Sequence, residues 1–366
     1  MYRLKILILF TIFLFGCAPK QETATAVPFD RREMLSNLTY QIILPTHETL
    51  ESSAEALVQS TQIFVGNPNA ENLDSLQNAW LETNLAYMAT TPFDFGPVHD
   101  TRLHSKLDNR PVDTAYIDET LANDTVITTN SVSDIGSNKI GLGAMEYLIF
   151  DAENGDTVIL AAFQDDENAD RRQAYLLALA ENIYKTTKNL TAIWDTNGSN
   201  YAQWFVESSG EMESSMNMLV NQMLADLEEI ITLRIGFPLG KLSGGVSRPE
   251  HVEAPYSQMS LPRIIATVEA LQTIYSGGAG SGLDDYLDFL GATYEEELLS
   301  QVIHNQFDMT LEALNAVEDP LAIAVDTNSG QVEAAYQELN KLLVLLKVDM
   351  ANHLGIVLTF NDNDGD

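Results

Sequence analysis

The sequence is poor in cysteine, in positive charge and in alternating apolar stretches. Cys17 is the only cysteine among 366 residues, which excludes an intramolecular disulfide framework and a cysteine-built metal centre. Lysine and arginine number 19 against 53 aspartates and glutamates, a formal charge of -34. Such a surface repels nucleic acid and anionic membrane faces. It attracts cations or stays solvated. No sustained period-two pattern appears, so strands are not expected. No His-Glu-x-x-His, Gly-x-Ser-x-Gly or Walker motif is present. The flexible stretch Gly277 to Gly282 has no phosphate-loop lysine and is assigned no nucleotide role.

What is there supports a sizeable core, since 45% of the residues are hydrophobic. At the N-terminus Arg3 and Lys5 precede an apolar run, Ile6 to Phe15, that is too short to span a bilayer. It ends in Leu14-Phe15-Gly16-Cys17, which resembles a bacterial lipobox. The expectation is a lipoprotein signal peptide over 1–16, lipidation of Cys17 and a tether over 17–29. That places the chain in the bacterial cell envelope, lipid-anchored and facing periplasm or exterior. The competing reading is an ordinary secretory signal with an incidental cysteine.

Helical periodicity dominates the rest. Asp30 caps a first helix that Pro45 should kink or break. Further helices are expected over His47 to Phe64, Leu73 to about Thr90, Ala169 to Trp194, Met212 to Ile235 and from Ser260 onward. Leu283 to Leu290, Tyr294 to Val317 and Gln331 to about Gly355 complete the set. Pro92 to Ser137 is irregular, and long irregular segments in compact domains often carry function. The polar run Asp195 to Asn200 is the best boundary, giving helical units over 30–197 and 198–366. The fold class is therefore all-α, with two bundles of about four helices each.

The irregular segment leads into Gly141-Leu142-Gly143-Ala144-Met145-Glu146-Tyr147-Leu148-Ile149-Phe150, an apolar run with one carboxylate inside it. A carboxylate in such a setting must be paired, hydrogen-bonded, metal-bound or protonated. The glycines let a backbone or ligand come close. The run resembles the Gly-x-His-x-x-Glu signature of the imelysin family. Gly141 and Glu146 match, but the histidine position is Gly143. Arg110-Pro111 stands where the family often has Trp-Pro, a second departure. Two further stretches are similar to the family in the same order. One is Val252 to Ser260 leading to Tyr275-Ser276-Gly277, the other the terminus from Leu354-Gly355 through Phe360-Asn361 to Asp364-Gly365-Asp366.

The resemblance implies two related, pseudo-repeated helical bundles, with the signature at their interface and a role in iron uptake. Some members have been classed as metallopeptidases. A zinc peptidase needs about three protein ligands, an open position and a general base. Even an intact His-x-x-Glu supplies only two groups on one helix face. Three readings follow. In the first, Glu146 is a ligand or hydrogen-bond acceptor for iron, another divalent metal or a metal chelate. Gly141, Gly143, Glu253, Ser257 and Ser260 line its cleft, and an outer-membrane or periplasmic transport protein is a possible partner. In the second, the chain is a metallopeptidase. In the third, the scaffold binds a peptide or transporter without metal. A purely structural Glu146 would pair with Arg102, Arg110 or Arg248, or with backbone. His99, Asp100 and His104 are weak alternative ligands; a helix over Asp100 to Asp108 would put Asp100, His104 and Asp108 on one face. His251 beside Glu250 and Glu253 is another.

Overall fold

The computed structural model describes residues 28–208 and 214–359. Cys17, the expected signal segment, nearly all of the tether and the terminal Phe360 to Asp366 lie outside the described residues. The described chain is all-α apart from one two-residue hairpin.

Asp30 caps α1 (Arg31–Asn37) by accepting from the Glu33 N–H. The helix passes through a π-helical stretch, Leu38–Ile43, straight into α2 (Leu44–Gly66). Pro45 does not break it, contrary to expectation. The proline sits in the first turn after the π stretch, where its missing N–H falls on an already interrupted ladder. Asn69 caps α3 (Ala70–Met88). Short helices follow: α4 (Pro97–Thr101), α5 (Leu103–Leu107), α6 (Thr114–Ala122) and α7 (Thr129–Ser133). The signature forms α8 (Gly141–Ile149), then come α9 (Asp156–Gln164), the long α10 (Ala169–Trp194) and α11 (Tyr201–Glu207).

The second half opens with α12 (Ser215–Glu229), continued by a π stretch, Ile230–Gly236. A loop leads to α13 (Ser260–Ser276) and α14 (Leu283–Leu290). Here the expected helix start at Tyr294 is corrected. Thr293–Tyr294 (β1) pairs antiparallel with Glu297–Leu298 (β2), and α15 runs Leu299–Asn315. The turn puts Glu295 and Glu296 at positive φ, and all four strand residues are exposed, so no buried face demands a helix there. α16 (Leu321–Thr327), α17 (Ser329–Val344), a π stretch over Leu345–Met350 and α18 (Ala351–Leu354) finish the chain.

α10 packs along α2 and against α8, while α2 packs on α3. α13 lies against both α3 and α15, so it joins the two halves. Buried apolar side chains from both halves form one continuous core, with Trp80, Trp194, Tyr175 and Tyr275 among the largest.

Candidate functional site

α8 is buried almost all round, which its apolar content dictates, and it can start only with glycine. Gly141 has φ +79°, and a Cβ there would stand 2.3 Å from the Leu107 carbonyl oxygen. The Trp80 indole N–H donates to the Leu142 carbonyl at 3.0 Å and pins the first turn. This places Glu146 wholly out of solvent.

Every near partner of that carboxylate comes from elsewhere in the chain. Oε1 accepts from the Tyr256 N–H at 3.1 Å, the Ser257 N–H at 2.9 Å and the Ser257 hydroxyl at 2.8 Å. Oε2 accepts from Arg110 Nη1 at 2.5 Å. The same Nη1 donates to the Glu253 carbonyl at 2.5 Å. Arg110 Nε reaches both Asp108 oxygens at 3.0 Å. Asp108 in turn accepts from Arg263 Nη2 at 2.6 Å, and Arg263 Nη1 donates to Asn84 at 2.5 Å. Glu253 Oε1 takes Arg234 Nε at 3.0 Å and Nη2 at 2.7 Å, with Arg263 Nε 3.3 Å away. Glu146, Asp108 and Glu253 thus alternate with Arg110, Arg263 and Arg234 in one formally neutral chain.

The charges are consistent with this pairing. Burial alone raises a carboxyl pKa. For Asp108 the Arg110 and Arg263 guanidiniums outweigh burial and hold it below the ordinary range. Arg234 and Arg263 do the same for Glu253. Burial works against the charged form of Arg110, but Asp108 and Glu146 overcome it and keep the group cationic.

The two departures from the family signature touch each other. A Cβ on Gly143 would lie 2.7 Å from Val112 Cγ2, 3.3 Å from Asp108 Oδ1 and 3.6 Å from Arg110 Cζ. A histidine there would need the volume that the Arg110–Asp108 pair fills. The Arg110 guanidinium occupies the position on Glu146 Oε2 that a metal would take. An ion bound to Oε2 would have to displace it, so the residues present do not fit a metal at Glu146. Among the described residues, no group of three or more His, Cys, Asp or Glu is arranged to hold a metal ion.

Of the sequence-derived candidates, Gly141, Gly143, Glu146, Glu253 and Ser257 converge. Ser260 stands one step back, its hydroxyl accepting from the Ala254 N–H at 3.0 Å and bracing the loop. The expected Asp100, His104, Asp108 face does not form. Arg102 adopts a left-handed conformation and splits α4 from α5. Asp100 is exposed, His104 is buried, and Asp108 joins the ion-pair chain. His99 lies 3.5 Å from Asp94. His251 stacks on Phe237 with ring centroids 4.1 Å apart. Arg248 pairs with Glu250 at 3.8 Å, not with Glu146.

Beside this chain opens a cleft of about 680 Å³. Arg110, Arg234 and Arg263 line it together with Asp226 and Glu229 of α12, and Asp94 and His104 are also on its wall. Among the described residues Asp226 accepts from neutral donors alone, Thr91 at 2.9 Å and Gln222 at 2.7 Å. Burial pushes its carboxyl up to about 7. Desolvation by the surrounding cleft walls raises Glu229 against the pull of Arg234 and Arg263, although the side chain opens to solvent, while burial raises Asp94 and lowers His104 to about 3, so that imidazole is neutral.

Sequence reasoning missed Arg234, Arg263 and Asp226. A signal existed for the two arginines: each is a single charge inside an apolar helical run, Ile230-Ile231-Thr232-Leu233-Arg234-Ile235 being the plainer, whereas Asp226 is followed closely by Glu228 and Glu229 and does not stand out. Such a charge must find a partner or a ligand.

Comparison with known proteins agrees with the geometry of the fold. Iron-regulated protein A of Synechococcus elongatus is 22% identical over 300 residues, spanning 80% of this chain and 77% of that protein. Two crystal structures share the fold. One is an iron-regulated protein A precursor from Parabacteroides distasonis, with TM-score 0.70 and 18% identity. The other is an imelysin-like protein from Psychrobacter arcticum, with TM-score 0.71 and 18% identity. Each match covers 90% of this chain and 97% of the other. The imelysin family model matches residues 43–346, and the chain belongs to the imelysin family.

Proposed function

We propose that this protein serves iron handling at the bacterial cell envelope as a binding protein, lipid-anchored through Cys17, without a metal coordinated by Glu146. The likeness to iron-regulated protein A supports the link to iron. The observation that carries the binding mode is the Arg110 guanidinium on Glu146 beside Gly143. Glu146 then acts as the keystone that joins α8 to the Glu253–Ser257 loop, and the recognition surface is the adjoining cleft. At about 680 Å³ the cleft suits a small molecule, an iron chelate or the side chains of a bound peptide better than a bare ion. A peptidase mechanism would need a nitrogen-rich open metal site, and the described residues offer none.

Hydrogen exchange of the full chain with and without ferric citrate tests this reading. Binding in the cleft predicts slowed exchange over 108–112 and 250–256. Protection confined to other surfaces, or none, would contradict it.

A further inference from the structure

The charged groups lining the cleft differ in how closely they are paired. The arginines are engaged by Asp108, Glu146 and Glu253, although Arg110 Nη2 and Arg263 Nε are buried without a hydrogen-bond partner among the described residues. Asp226 and Glu229 are less closely matched: Arg234 acts on both through space, without a hydrogen bond to either among the described residues. Asp226 is buried and, among the described residues, accepts hydrogen bonds from a hydroxyl and an amide alone. Glu229, one helical turn further along α12, makes no hydrogen bond or ion pair among the described residues and is exposed to the cleft. Asp94 follows the Thr91–Phe93 turn that reaches Asp226; its Oδ2 faces His99 at 3.5 Å, and its Oδ1 is buried without a hydrogen-bond partner among the described residues. An acidic cluster alone would say little. A second observation stands beside it: His104 is 5% exposed, lines the same cleft, and its Nε2 has no partner. Buried polar atoms normally find partners, and an orphan on a cleft wall marks a place for one.

We propose that this wall is a site for an organic cation, an ammonium or guanidinium group held by Asp226 and Glu229, with Asp94 and His104 Nε2 accepting further hydrogen bonds. Neutral His104, in its Nδ1–H tautomer, offers Nε2 as an acceptor without opposing the charge. A bare metal fits worse, since no ligand cluster is preformed among the described residues. A multi-donor ammonium or guanidinium suits acceptors spread along a wall. The inference rests on the cleft being the binding surface and adds the chemistry that would be recognised there.

Calorimetric titration of the full chain tests it, with agmatine and spermidine as free cations and the tripeptide Gly-Arg-Gly as a peptide source. Asp226→Asn and Glu229→Gln should each weaken binding about tenfold or more, the scale of one charged hydrogen bond. The surface variant Glu71→Gln should leave it unchanged. Far-ultraviolet circular dichroism checks that both variants fold, and Glu229 is exposed enough that its replacement spares the core. Preference for agmatine over the tripeptide, or the reverse, identifies the source. Absence of binding by all three probes, or binding that ignores both variants and follows only the overall charge, overturns the inference. Cleft protection by ferric citrate in that case would leave the broader reading standing.

Discussion

Arg110 is the residue on which the site depends. Among the described residues it is the one cation paired with Glu146 and one of two on Asp108. Truncating one partner of a buried ion pair leaves an uncompensated charge, at a cost of about 3–5 kcal/mol. Arg110→Ala should therefore lower unfolding stability by about that much in urea titration. Glu146→Gln should cost less, because the Ser257 contacts persist. A loss below about 1 kcal/mol for Arg110→Ala would mean that Glu146 is held by its loop amides alone. Gly143 belongs to the same account. Gly143→His should destabilise by about 1–3 kcal/mol through overpacking against Val112, Asp108 and Arg110. Combined with Arg110→Ala, it should cost less than the sum of the single changes, because the imidazole inherits the vacated space. Strict additivity in that double-mutant cycle would separate the two positions and contradict the exchange argued for them.

At the scale of elements, α12 carries a testable consequence of unmatched charge. Asp226 ionises near 7 in the fold against 3.8 ordinarily, with Thr91 and Gln222 bonded to it, Glu229 opposing its charge and Arg234 favouring it. Between about pH 4 and 7 the unfolded chain has released this proton while the folded chain keeps it. Stability contributed by Asp226 therefore falls as pH rises through that window, by up to about 1.4 kcal/mol per pH unit. Asp226→Asn should remove this component. The difference between variant and native stability, followed by urea titration from pH 4 to 8, should grow in favour of the variant. A flat difference would show that Asp226 is ionised throughout.

The same scale shows what the sequence made legible. Long amphipathic segments such as α10 and α13 follow directly from apolar spacing. The passage through Pro45 does not, because a π stretch depends on packing against neighbours. The hairpin at Thr293–Leu298 escaped because the acidic run there is compatible with a helix start as well as a turn. The ion-pair chain was half visible. Glu146 stood out as a charge in an apolar run, and Arg110 was named among its possible partners. Arg234 and Arg263, equally isolated in apolar helices, went unread because their partners lie 19 and 155 residues away and sequence spacing carries no such distance.

For the whole molecule, the bearing of α13 on both α3 and α15 and the single continuous core make the ion-pair chain an internal joint. Asp108, Arg110 and Glu146 come from the first half, and Arg234, Glu253 and Arg263 from the second. A metal held by Glu146 would require this joint to open. The acidic surface, with its charge of -34, attracts cations everywhere, so weak metal association alone distinguishes nothing. The decisive measurement is calorimetric titration of ferrous iron and zinc into the native chain and Glu146→Ala at 150 mM salt. The account predicts no saturable one-to-one site that depends on Glu146, with the two proteins behaving alike. A stoichiometric site present in the native chain and lost in Glu146→Ala would contradict it.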